Sequence, residues 1–185
     1  MCGTTKIKIN GMLAIPFYAA QPISHVFPMF LNNVTIRTND HTNKSLDKIA
    51  KLKVALNRLR KLLRHPSVLQ EIAMRNFSIW GRKKFINGQK LIYMFGSVRL
   101  TGGFEIIIKS LKQAGTMANG KNPNSKVMSI SNWRANGPLI DLVETMAHEL
   151  GHSYGMKEFG GAYPFGWLLK DMYKLKLWKY RELPM

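Results

Sequence analysis

Hydrophobic and polar positions follow two rhythms along this chain. Residues 32–38 read Asn-Asn-Val-Thr-Ile-Arg-Thr, with Val34 and Ile36 set between polar neighbours, which predicts a strand. After a turn-rich stretch at 39–43, Leu46, Ile49, Leu52, Leu56, Leu59 and Leu63 recur at steps of three and four. That spacing lines one stripe of a helix over 45–64 that starts at Ser45, with Asp47 in its first turn. Pro66 stops it, and a short second helix over 68–74 follows. Residues 77–80 and 90–95 read as strands, separated by basic turns at Gly81-Arg-Lys-Lys84 and Asn87-Gly88. Residues 97–110 are ambiguous: Val98-Arg-Leu100 continues a strand, Gly102-Gly103 breaks it, and 104–113 fits helix or strand. A loop at 115–125 leads to a short alternating strand at 126–131, and Asn136-Gly-Pro138 opens a helix over 138–154. Beyond a glycine-rich link, 167–180 suits a helix carrying Leu168, Met172 and Leu175, although Lys174-Leu-Lys-Leu-Trp178 also alternates like a strand. Short strands mixed with helices in 185 residues predict one α+β domain with a twisted mixed sheet.

Residues 11–31 hold no Asp, Glu, Lys or Arg, yet Pro16, Pro22 and Pro28 interrupt them. No apolar run reaches the roughly 18 residues of a transmembrane helix, so none is expected. Phe17-Tyr-Ala-Ala20 is a poor cleavage site. The expectation is an extended arm over 1–31 packed on a domain over 32–185, with a leader peptide as the alternative.

Charge changes the picture of the surface. Lys and Arg number 28 against 10 acids, a net charge of +18, and the pI is near 10.2. Such a surface draws polyanions such as nucleic acid or an anionic cell wall. The 45–64 helix concentrates it in Lys48, Lys51, Lys53, Arg58, Arg60, Lys61 and Arg64, opposed by Asp47 alone. This ridge is a candidate polyanion surface; the alternative is an ordinary solvated face. A single cysteine excludes an internal disulfide and fits a reducing compartment or a short-lived secreted protein; a cytoplasmic or virion-associated setting is expected ahead of a secreted one. Cys2 offers a thiolate that could cap a zinc ion, against the plainer reading of an ordinary terminal thiol.

The chemistry lies in the helix over 138–154. It contains His148-Glu149-Leu-Gly-His152, the order H-E-x-x-H. Two histidines four apart share one helix face and can hold a zinc ion in neighbouring tetrahedral positions. Glu149 then leans over the open metal position, where it can take a proton from a metal-activated water and return it to a leaving amine. An amphipathic core helix that happens to carry two histidines is the alternative. Five histidines in 185 residues make that coincidence rare, and the neighbours oppose it. Gly155 stands where a left-handed turn can end the helix, and Glu158 follows three residues later. Glu144, one turn before His148, is a candidate partner behind the ligands. Tyr154, Tyr163 and Tyr173 are candidate oxyanion donors.

The string His148-Glu-Leu-Gly-His152-Ser-Tyr-Gly155-Met-Lys-Glu158 resembles the motif H-E-x-x-H-x-x-G-x-x-H of the metzincin clan of zinc peptidases, with Glu158 where that motif has its last His. The resemblance implies a zincin-like fold in which Gly155 swings the third ligand back to the metal. His148, His152 and Glu158 would then hold Zn2+, with Glu149 as general base. It further implies that Val127, Met128, Ser129, Ile130 and Ser131 form the sheet edge that pairs with an extended substrate, and that Met172 forms the methionine turn under the metal. In the related glutamate-zincins the third ligand comes from a later helix, where Asp171 or Glu182 could serve. The function so implied is peptide-bond hydrolysis by metal-activated water. The rival expectation is a basic structural or nucleic-acid-associated protein, for instance of a virion, that keeps a zincin fold with peptidase activity weak or lost.

Overall fold

The leucine stripe decides where the core lies. Helix α1 (Asn43–Arg64) buries Leu52, Leu56, Leu59 and Leu63, together with Ala55 and Leu62. Leu46 departs from the stripe: it is 65% exposed, and the first turn buries Ser45 instead. The computed structural model describes residues 34–38, 43–81, 84–95, 104–110, 118–119 and 127–179. The expected arm over 1–31, Cys2, the Gly102-Gly103 break, most of the 115–125 loop and Glu182 lie outside the described residues.

Among the described residues, four strands form a mixed sheet in the order β1-β4-β6-β5, with β1 (Val34–Thr38), β4 (Phe104–Lys109) and β6 (Val127–Ser131) parallel and β5 (Ala118–Asn119) antiparallel to β6. Ile106 of β4 lies between Ile36 and Met128. Phe104, Ile106 and Ile108 are buried, while Glu105, Ile107 and Lys109 between them are half-exposed, so one face meets the core. The β-branched run Ile106–Ile108 fits the strand found over Phe104–Lys109, and residues 111–113 lie outside the described residues. The mixed α+β architecture expected from the sequence is therefore present.

Three expectations are corrected. Residues 90–95 are not a strand but part of helix α3 (Gly88–Phe95). Gly88, Leu91 and Phe95 form a buried stripe at helical spacing, and the Asn87 side chain accepts the Lys90 N–H at 2.9 Å, so Asn87 caps a helix. Gly88 is required there, because a Cβ would overlap the Ile72 carbonyl. Second, β6 is not the sheet edge: β4 flanks it on one side, and β5 pairs with Ser129 and Ile130 on the other. Third, Met172 forms no methionine turn. It lies within helix α6 (Tyr163–Lys174), half-buried against the core, since the helical spacing of Leu168 and Met172 prevails over the local alternation. A short 3-10 turn, Leu177–Lys179, follows.

The remaining elements frame the motif helix. Helix α2 (Pro66–Ala73) starts with Pro66 in its first turn, capped by His65, and packs on α3. The hairpin β2 (Asn76–Ser78) and β3 (Phe85–Asn87) connects them. After β6, the short helix α4 (Asn132–Ala135) leads to α5 (Leu139–Ser153), which carries H-E-x-x-H between α1 and α6. Leu142, Val143, Met146, Ala147 and Leu150 face inward from α5, and Phe165, Leu168 and Leu169 face inward from α6. Gly166 allows the two helices to approach, since a Cβ would stand 3.1 Å from the Glu144 carbonyl and 3.2 Å from the His148 Cβ.

Part of the basic ridge serves the fold. Lys48 Nζ donates to Asn132 Oδ1 at 3.1 Å and Lys51 Nζ to the Asn136 carbonyl at 2.8 Å. The Arg58 guanidinium lies 4.1 Å from the centre of the Trp178 ring and donates to the Tyr173 hydroxyl. Lys53 and Lys61 stand exposed on the outer side of α1. No helix among the described residues is long and apolar enough to cross a membrane.

Candidate metal centre

The end of α5 is what turns a helix face into a site. Gly155 has φ +82°, a conformation open to glycine. Its N–H bonds the His152 carbonyl at 2.8 Å, and the Met156 N–H bonds the Gly151 carbonyl at 3.0 Å. These two bonds make a Schellman closure, as the position of Gly155 predicts. The chain then reverses and is stitched to the hairpin. Trp80 N–H bonds the Gly155 carbonyl and Lys157 N–H the Ser78 carbonyl, both at 2.9 Å, with an antiparallel bridge between Ile79 and Met156. The turn Glu158–Ala162 follows, with Gly160 at φ +74°. Gly161 presses on the strand so closely that a Cβ would sit 2.4 Å from the Ser78 carbonyl oxygen. Glu158 is thus carried back over α5 by a fixed turn.

Three side chains converge there. His148 Nε2 and His152 Nε2 are 3.1 Å apart. Glu158 Oε2 is 2.9 Å from His152 Nε2, and Oε1 is 3.6 Å from His148 Nε2. A tetrahedral ion with zinc–nitrogen and zinc–oxygen bonds of about 2.1 Å sets its ligand atoms about 3.4 Å apart, so the separations suit one ion. The donor set points the same way. His152 Nδ1 donates to the Met156 carbonyl at 2.9 Å, which leaves Nε2 as a lone pair aimed at the other two groups. The His148 ring hydrogen-bonds the backbone of Ala162. Two imidazole nitrogens and a carboxylate facing each other at this range form a cluster of electron donors, which a cation would stabilise. Among the described residues, these three are the group able to hold a metal ion.

The surroundings differ by side. The His148 and His152 side chains are 13% and 12% exposed and that of Glu158 is 48% exposed, so the cluster opens on the Glu158 side. Burial, and next the facing His152, hold the His148 pKa below the ordinary imidazole value and favour the neutral, ligating form. Glu149 is buried beside the cluster, with Oε1 3.9 Å from His148 Nε2. Behind it, Glu144 accepts from Lys170 Nζ at 2.6 Å, and Lys170 also pairs with Asp141 at 3.0 Å. Arg134, nearly buried, donates to Thr145 Oγ1 at 2.6 Å and to the Asp141 carbonyl at 2.9 Å. Glu144 acts on His148 through its charge, which raises the imidazole pKa against the larger effects of burial and His152.

Other expected residues fall elsewhere. Asp171 pairs with Lys174 at 2.8 Å on the exposed face of α6, apart from the cluster. Of the three candidate tyrosines, Tyr154 packs on Phe95 in the core, where burial pushes its pKa well above the ordinary value. Tyr173 is held by Arg58. Tyr163 has its ring on His148, with centroids 4.5 Å apart. The Met156 and Ala162 backbone and the Ser78–Trp80 anchor are not legible from residue type. The Gly160-Gly161 pair was the available signal of a close backbone approach. Scans against protein-family models, curated proteins and solved structures each returned no match.

Proposed function

We propose that this chain is a zinc-dependent metallopeptidase with a zincin-like fold, in which His148, His152 and Glu158 hold the metal. The observation that carries this reading is the convergence of two imidazole Nε2 atoms and one carboxylate, at 2.9–3.6 Å, beside a buried glutamate. When bound, the zinc ion would polarise a substrate carbonyl and supply a nucleophile from water at neutral pH. The chain's own groups do the rest. The Met156 carbonyl fixes the His152 ring. Glu149, held by burial next to His148, accepts a proton at its carboxylate and delivers it to the amine nitrogen as the peptide bond breaks. An extended substrate would add to the sheet beyond β5 (Ala118–Asn119), the outermost described strand on that side, rather than directly along Val127–Ser131. The test is a randomised peptide library incubated with zinc-loaded protein and read by mass spectrometry. Cleavage should be stopped by a chelator and restored by zinc; an untouched library would refute the reading.

The basic ridge adds attraction to anionic surfaces rather than chemistry. Because Lys51 and Arg58 are tied into the fold, the exposed Lys53 and Lys61 are the residues to change. If both meet phosphates, changing them to Gln should reduce the salt slope of duplex-DNA binding by about 0.9 per lysine, with neutral-peptide cleavage intact. An unchanged slope would mean that the ridge is a solvated face.

A further inference from the structure

The rings around the candidate centre do not end at Tyr163. Phe159 lies 5.7 Å from Tyr163 with planes 32° apart, and Trp167 lies 5.5 Å from Tyr163 with planes 31° apart. Phe159 is 79% exposed and Trp167 is 54% exposed. Three rings at four-residue steps therefore form one tilted ladder, and its middle rung touches the candidate ligand His148. The backbone explains how it is built. The Gly160-Gly161 turn presents Phe159 beside Glu158, and α6 carries Tyr163 and Trp167 one turn apart on one face. Neither exposed ring adds to the buried core, and leaving two such rings in water forgoes the burial that Phe165, Leu168 and Leu169 of α6 obtain.

We infer that Phe159, Tyr163 and Trp167 form the specificity surface of the site and receive an aromatic side chain of a peptide substrate next to the bond to be cut. This rests on the peptidase reading for the word substrate, though not for binding. The ladder is continuous with the candidate centre through the His148–Tyr163 contact, and Phe159 adjoins Glu158 in the chain. Exposed rings take a flat aromatic partner well, since aromatic pairs gain attraction beyond the area they bury; their faces also attract cations, so the choice between the two falls to the surrounding charge. Lysine or arginine at that position would meet the chain's own positive field, at a net charge of +18.

The experiment uses full-length, zinc-loaded Glu149→Gln protein, which keeps the proposed ligands, and two short capped peptides identical except for Phe or Ala at one central position. Calorimetry at high salt, where charge attraction is screened, should show the Phe peptide binding about three- to tenfold more tightly. The Phe159→Ala and Trp167→Ala double variant should lose that preference while retaining zinc and its thermal transition. Phe159→Leu with Trp167→Leu, which keeps apolar bulk without ring faces, should retain only part of it. Equal binding of the two peptides, or a preference that survives the double Ala variant, would overturn the inference. The peptidase reading is judged separately on parent protein. Library cleavage without enrichment of aromatic residues beside the cut would sink the ladder alone. Aromatic preference in binding without any cleavage would sink the peptidase reading alone.

Discussion

Glu149→Gln should retain zinc and fold while losing at least about a hundredfold, and up to about ten-thousandfold, in peptide-cleavage rate. Glu149 is absent from the three-residue donor cluster, so the proposed metal shell does not use its charge. It is also buried, so the amide must fill the space of the carboxylate, and Gln does so with nearly the same shape. What the amide cannot do is accept and return a proton. Steady-state kinetics with metal analysis on the same sample make the check. Loss of zinc together with activity would assign Glu149 a structural role, and retained activity would remove it as the general base.

The second large effect concerns the ligands. His148→Ala, His152→Ala and Glu158→Ala should each weaken zinc binding by more than about a hundredfold in chelator competition, because even a partner outside the ligand shell is worth roughly ten- to a hundredfold. Asp171→Ala should leave affinity unchanged, since Asp171 is engaged with Lys174 on the exposed face of α6. The opposite ranking of Glu158 and Asp171 would move the third ligand downstream. Acid should compete as well. The His148 pKa lies below its ordinary value, so the folded state binds fewer protons there than the unfolded chain. Zinc affinity and the stability that comes with it should therefore persist through neutrality and fall as the pH drops below about 6.5.

The sequence announced some of this more clearly than the rest, for physical reasons. Helical stripes are read easily because burial repeats every three or four residues, so α1 and α5 lie close to where Leu52–Leu63 and the H-E-x-x-H spacing put them. Gly155 was legible because few residues other than glycine take φ +82° at a helix end. The stretch 90–95 misled because its apolar residues also suit a strand, whereas the structure has a helix there with Asn87 at its cap. Strand order was not legible at all. Whether β6 or the two-residue β5 lies outermost depends on pairing between segments that local pattern does not encode. At the candidate site, the donor types were visible but the backbone supports were not. The Met156 carbonyl carries no signature of its residue type, and Ser78 meets Gly161 only because the turn is folded onto the hairpin.

The most direct test is elemental analysis of the purified protein beside its His148→Ala variant. The account predicts one zinc per parent chain and none in the variant. Parent protein that carries no metal, and takes up none after refolding in zinc, would contradict it.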